Sequence, residues 1–392
     1  MTGTNQHPTM TSSTSIDAPA SNDETATRGE GQIALKEHES RVSLKGNIAT
    51  FDRLFVHYPD SVRDDSVWLR AYCATHCNGE HALIAKIAAS LGIQQSDNYW
   101  YQVLTGRYFR PGGSAPKLKE FITQIRTWSL LRANEGKIPF VETRNWRRVK
   151  DYIDTRRDPG AIWKFGFIEG LTSSQKTECC KHYRDLNNHC KTIHIEAPAK
   201  ATRNRFIHKL GKAYLMNASW TTARKELELE TVVTAERTII VDNVQRLFRP
   251  DVKPDQQPIF NFLHELQDDT ECTVIFTWVP TFRKTITAEE PFWRQFLARG
   301  GGEDQILKLD QRLIKSDIIG FAKAYQVAND AAAFPILKGW SETSMGVRAF
   351  KGRLHLARLL ATSRRQKEIS VDCLREVENE PLAMQCDQED AA

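Results

Sequence analysis

The 392 residues predict an α/β fold: a parallel sheet with helices on both faces, an all-α segment in front of it and a small helical lid behind. Three observations carry this expectation. Between about residues 160 and 309, short apolar runs alternate with amphipathic stretches. The segments on either side keep a helical period with no strand pattern. A polar loop led by a glycine stands at the junction of one apolar run and the next amphipathic stretch.

Composition sets the outer limits. Hydrophobic residues make up 40% of the chain and charged residues 26%, enough apolar surface for two or three cores. No stretch approaches the ~18 uninterrupted apolar residues of a membrane-crossing helix. The polar N-terminus has no apolar run behind a basic start, so no secretory leader is expected and the cytoplasm is the expected location. The eight cysteines have no framework spacing, and reduced thiols are expected. Cys73, His76, Cys77 and His81 resemble half of a zinc site, but no second ligand pair follows at finger spacing. A helix with two small buried cysteines is the favoured reading. Charge is uneven: residues 1–45 carry a net −2 and residues 380–392 a net −4, which leaves +11 on the body of a chain totalling +5. A basic body suits a polyanion partner, and a basic solvated surface has the same signature.

Residues 1–45 are polar and poor in large apolar groups, so a disordered leader is expected there and a disordered acidic tail over 380–392. A helical pattern fills 46–135. Within it Ile84, Ile87, Ala88 and Leu91 share one face, and Gly92 stands where a tight turn is needed. Ser96 or Asp97 can cap a second helix carrying Trp100, Tyr101, Val103 and Leu104, which Gly106 ends. Two short helices around a glycine turn predict a helix-turn-helix unit, whose second helix enters the major groove of DNA. That helix and its exit offer Tyr99, Tyr101, Arg107, Tyr108 and Arg110, with Lys117 and Lys119 close by, for phosphate contact; Trp100 is assigned to the core. From 136 to 309 a connecting segment leads into the strands AIWKFGFIEG, KTIHIEAP, RTIIVDNV and CTVIFTWVP, which alternate with helices. Residues 310–379 read as the helical lid.

The loop at 170–177, GLTSSQKT, follows an apolar strand and opens a helix, the context of a phosphate-binding loop. Gly170 ends the strand. The backbone amides of Thr172, Ser173, Ser174, Gln175 and Lys176 would cradle phosphates, Lys176 would reach the β- and γ-phosphates, and Thr177 would hold Mg2+. The usual glycine before the lysine is Gln175, so the loop must reach positive φ at some strain. A polar turn capping a helix is the alternative. In RTIIVDN, Asp242 ends a strand at the edge where an aspartate orders magnesium. Asn243 follows, where a hydrolytic ATPase often places Glu; Asn cannot take a proton, so turnover is expected to be slow or to use a residue elsewhere. A strand ending in a turn-forming Asp-Asn pair is the alternative. Thr277 ends another buried strand, where a hydroxyl could sense the γ-phosphate. Arg299, before a glycine run, could reach a neighbouring subunit's γ-phosphate, or be a surface arginine at a helix end. In the lid, Arg348 could reach back to the nucleotide, while Leu354, Leu356, Leu359 and Leu360 are assigned to the core.

Taken in order, the helix-turn-helix ending in LTGRY, the PFVET connector, GLTSSQKT, TIIVDN, VIFTWVP and GVRAFKGRLHLARLLA resemble the AAA+ transposition ATPases of the phage Mu B, TnsC and TniB type, over roughly 80–375. The resemblance implies a P-loop AAA+ fold that binds ATP and Mg2+ and forms an ATP-dependent oligomer or filament on double-stranded DNA. It further implies a role in target selection for a mobile element and recruitment of a transposase or integrase. Lys176, Thr177 and Asp242 carry over as site residues, with Thr277, Arg299 and Arg348 beside them; Gln175 and Asn243 depart from the pattern. Two alternatives stay open: a nucleotide-binding regulatory or defence switch with little hydrolysis, and a DNA-binding protein whose α/β unit has lost nucleotide.

Overall fold

The computed structural model describes residues 44, 51, 53–109, 115–133, 137–187, 191–199, 201–287, 289–342 and 346–379. The expected leader and tail, apart from Leu44, lie outside the described residues, as does Arg110.

The front of the chain folds into α1 (Asp60–His76), α2 (His81–Ser90), α3 (Asp97–Leu104) and α4 (Ala115–Ala133). Gly92 turns the chain at φ +79°, and Ser96 caps α3 by accepting from the Tyr99 amide at 3.2 Å. Gly106 (φ +75°) closes α3 against Leu54; a Cβ there would run into the Leu54 carbonyl, so only glycine fits. Ile84, Ala88, Trp100, Val103, Leu104, Leu118, Ile122 and Ile125 are buried together. Cys73 and Cys77 are buried thiols, and no metal-holding cluster of His, Cys, Asp or Glu occurs among the described residues.

Behind this unit come α5 (Arg144–Arg157), β1 (Phe165–Gly170), α6 (Lys176–Leu186), β2 (Thr192–Glu196), α7 (Arg203–Ala213), α8 (Thr222–Val232), β3 (Thr238–Asp242), α9 (Pro258–Thr270), β4 (Thr273–Trp278), α10 (Pro291–Ala298) and β5 (Leu307–Leu309). The strands pair in parallel in the order β2-β3-β4-β1-β5. Parallel neighbours need crossovers, which the helices supply. Side chains alternate faces with period two. Phe165, Phe167, Ile239, Val241, Val274 and Phe276 face α7 to α10, in the same buried cluster as the front helices. Ile168, Ile240 and Ile275 face Trp146, Val149 and Ile153 of α5 and Cys179, Cys180 and Tyr183 of α6. The helical front and the α/β unit therefore share one continuous core. Arg126 fastens them further by donating to the Leu186 carbonyl at 2.7 Å, and Lys191 pairs with Asp64 at 2.8 Å.

The lid consists of α11 (Lys315–Ala324), α12 (Ala333–Ser341), α13 (Gly346–Ser363) and α14 (Val371–Asn379). Its own core includes Val347, Phe350, Leu354, Ala357 and Ala361, the 3.6-residue stripe of α13. Leu359 falls on the opposite face and is 53% exposed, so it is not a core residue; Leu356 and Leu360 are partly buried at the edge. No described helix is long and apolar enough to cross a membrane.

Candidate nucleotide-binding site

β1 delivers the chain to the carboxyl edge of the sheet, and α6 begins six residues later at Lys176. The loop between them turns through two left-handed residues, Ser173 (φ 70°) and Gln175 (φ 71°). For side-chain-bearing residues this costs roughly 1–2 kcal/mol each, and contacts from outside the loop offset it. Thr143 Oγ1 donates to Gln175 Oε1 at 2.8 Å, and Asn145 Nδ2 donates to the Ser174 carbonyl at 3.1 Å. Gln311 Nε2 reaches the Thr172 carbonyl at 2.7 Å, and the Val347 amide of α13 reaches the Ser173 carbonyl at 3.1 Å. Thus α5, the segment after β5 and the lid together hold the loop. Thr143, Asn145 and Gln311 were not among the sequence candidates. The helix-capping pattern at Thr143 was readable, but its contact with Gln175 spans 32 residues.

Lys176 is buried and donates from Nζ to the carbonyls of Gly170 and Leu171, the latter at 3.0 Å. Burial pushes its ammonium pKa down, against the pull of Asp242 and Glu169. Thr177 Oγ1 donates to Asp242 Oδ2 at 2.6 Å, and Thr277 Oγ1 donates to Asp242 Oδ1. Asp242 has no exposed surface. Burial works to raise its pKa, yet His194, Thr177 and Thr277 outweigh that and hold it at about 2, so the carboxylate stays ionised. His194 Nε2 of β2 lies 3.7 Å from Asp242 Oδ2 and was not foreseen in the sequence. Lys176, Thr177, Asp242 and Thr277 are thereby brought together. Thr277 binds the aspartate itself, a different posture from the expected γ-phosphate sensor.

A cleft of about 580 Å³ opens over this group, lined by Thr172 to Glu178, Asn243, Gln245, Arg246, Val279, Val347, Arg348 and Lys351. Arg348 therefore sits where the lid was expected to reach back. Lys351 of the same helix closes on Glu178 of α6 at 2.7 Å. Thr177 at the cleft and the buried Asp242 directly behind it hold adjacent hard oxygens, the donor type that suits Mg2+, an ion that takes few protein ligands and keeps phosphate and water oxygens. Arg299 is placed apart from the cleft. It sits beside Lys164 and Phe165, at the sheet's amino edge, and its Nη2 pairs with Asp268 Oδ2 at 2.7 Å.

The candidates for DNA contact divide into two groups. Tyr99 and Tyr108 pack edge-to-face at 4.9 Å, and Tyr101 packs on His81 at 5.3 Å. All three are half-buried against the core of the front unit. Their rings are spent on packing because an aromatic body releases most free energy when desolvated. Arg107, Lys117 and Lys119 are exposed. Trp100 is fully buried, as assigned.

The family described as an AAA domain matches residues 164–286, a span that holds β1, the loop, β3 and β4. No curated protein sequence matches the chain. Among solved structures, the RuvB Holliday junction branch migration motor of Thermotoga maritima is similar at 14% identity and TM-score 0.41, over 61% of this chain and 69% of that one. The ORC1 protein of Aeropyrum pernix, solved in complex with DNA, is similar at 15% identity and TM-score 0.44, over 62% and 66%. Domain III of the replication initiation protein DnaA of Thermotoga maritima is similar at 13% identity and TM-score 0.41, over 61% and 92%. With five parallel strands, a loop of phosphate-binding form after β1 and a helical lid resting on that loop, the fold is of the P-loop AAA+ type.

Proposed function

We propose that this chain binds ATP with Mg2+, and that nucleotide controls its assembly on double-stranded DNA during target selection by a mobile element, where it recruits a transposase or integrase. The observation that supports the nucleotide reading best is the Thr177–Asp242 contact at 2.6 Å, directly beside the buried Lys176. In this reading the loop and the first turn of α6 bind the phosphates through backbone amides and the helix dipole. Lys176 exchanges its two carbonyl partners for phosphate oxygens. Mg2+ bound beside Thr177 and Asp242 would supply charge that balances the β- and γ-phosphates. Arg348 and Lys351 bring the lid onto the same ligand, so nucleotide occupancy is felt by α13. The exposed Arg107, Lys117 and Lys119 bind the phosphate backbone, while α3 faces the groove.

Nucleotide titration and DNA binding, measured with and without ATP, test the reading. Lys176→Ala is expected to abolish ATP-dependent DNA binding at equal salt; retained binding would count against it. A second reading, a regulatory or defence switch with little hydrolysis, is favoured by Asn243, which cannot act as a base. ATP binding with negligible turnover on any DNA would select it.

A further inference from the structure

Glu196 ends β2, and the parallel register sets it directly beside Asp242 at the end of β3. Its Oε1 accepts from Arg246 Nη1 at 2.9 Å and from Asn243 Nδ2 at 3.4 Å. Both donors line the cleft over Lys176 and Thr177. Asn243 is itself fixed: its backbone is left-handed, and its amide donates to Asp242 Oδ1 at 3.1 Å and Thr277 Oγ1 at 3.3 Å. The residue after Asp242 is thus held firmly toward the site, carries no proton-accepting group, and grips a carboxylate on the next strand.

The neighbouring carboxylates are worse placed to take a proton from water. Asp242 is wholly buried with both oxygens engaged by hydroxyls. Glu169 is buried and accepts from Trp278 Nε1 at 3.2 Å. Glu178 is as exposed as Glu196 but is committed to the lid through Lys351, whereas Glu196 is tied through Asn243 to the strand that carries Asp242. Glu196 has a side chain 43% exposed, so water reaches it.

We propose that Glu196 is the water-activating carboxylate of this ATPase, moved one strand over from the position after Asp242, and that Asn243 positions it. The inference deepens the ATPase reading and rests on it. In the step, a water oxygen bonds to the γ-phosphorus as its proton passes to the Glu196 carboxylate. The bond from the γ-phosphorus to the β,γ-bridging oxygen breaks, its electron pair leaves with ADP, and Glu196 then returns the proton to solvent. Arg246 sets the timing. One guanidinium both holds Glu196 and lines the cleft, so a triphosphate that draws Arg246 frees the carboxylate.

The test measures binding of a fluorescent ATP analogue and phosphate release from ATP, both with duplex DNA present. Glu196→Gln is expected to keep nucleotide affinity within about twofold of wild type and to lower phosphate release by roughly 100-fold or more, the lower end of what a positioned base contributes. Adding Asn243→Glu to that variant is expected to restore most of the release by returning a carboxylate to the strand that carries Asp242. Unchanged release by Glu196→Gln, loss of nucleotide binding together with release, or no rescue by Asn243→Glu would each overturn the proposal. If wild type binds the analogue but releases no phosphate on DNA, the Glu196 role falls and nucleotide binding stands. If wild type binds no nucleotide, both fall.

Discussion

Thr143 Oγ1 donates to Gln175 Oε1 across 2.8 Å, tying the start of α5 to the residue before Lys176. The same hydroxyl accepts from the Trp146 amide at 3.2 Å and so caps α5. One side chain thereby starts a helix and steadies a left-handed residue in the loop before α6. Glycine would need no such help; Gln175 does.

Thr143→Val keeps the shape of the side chain and deletes both bonds. With Thr143 buried, the change is expected to lower stability by about 1–2 kcal/mol and to weaken nucleotide binding through a looser loop. Thr143→Ser retains the hydroxyl and should stay near wild type. Urea midpoints for the three proteins check this, and a Val variant with an unchanged midpoint would remove Thr143 from the account.

Asp242→Asn tests the hard-oxygen pair. The variant keeps the volume but loses the charge that Thr177 and Thr277 both address. Nucleotide affinity is expected to become insensitive to removal of magnesium by a chelator, where wild type should weaken clearly. Acid stability provides a second readout. The folded carboxylate is held at about 2, below its ordinary 3.8, so its contribution is complete above about pH 4 and is lost as the pH falls toward about 2. Wild type should therefore lose stability across that window more steeply than the Asn variant.

Much of this site is readable in the chain because its markers are local. GLTSSQKT sits between an apolar run and an amphipathic one, and TIIVD ends on a carboxylate, so Lys176, Thr177 and Asp242 can be matched without knowing the fold. β5 has three residues, too few to show a period. Glu196 and His194 escape a linear reading because the register of two parallel strands, which no linear pattern encodes, is what brings them to Asp242. The tyrosines of the front unit are ambiguous in sequence: a ring with a hydroxyl suits a phosphate or a core equally, and only the packing of Tyr99 on Tyr108 and Phe121 decides.

DNA contact is expected of the exposed cations rather than of those rings. Replacing Arg107, Lys117 and Lys119 together by Ala should weaken binding to unrelated duplex sequences by similar factors. It should also reduce the slope of log affinity against log salt by roughly 2–3, close to one unit for each phosphate that is no longer neutralised. Tyr99→Phe should leave that slope alone. An unchanged slope in the triple variant would take this face off the DNA.

His264 makes the fold sensitive to acid. Its ring stacks against Phe292 and Phe296, with centroids at 5.6 and 5.5 Å. Burial pushes its pKa from 6.5 down to about 4, with Arg299 adding repulsion and Asp268 opposing it. The unfolded chain takes up the proton near its ordinary value, and the folded protein only near the lower one. Between the two, acid favours unfolding, so stability should fall as the pH drops below about 6.5 and cease to fall from this cause below about 4. By about pH 5 the loss should reach roughly 2 kcal/mol. His264→Phe keeps a flat apolar ring against the same neighbours and cannot titrate, so its stability should fall less across that range, leaving only the smaller share of His76 and His182, whose pKa values burial also lowers. Urea midpoints at neutral pH and at pH about 5 measure the difference, and equal acid losses in the two proteins would place the pH sensitivity elsewhere in the fold.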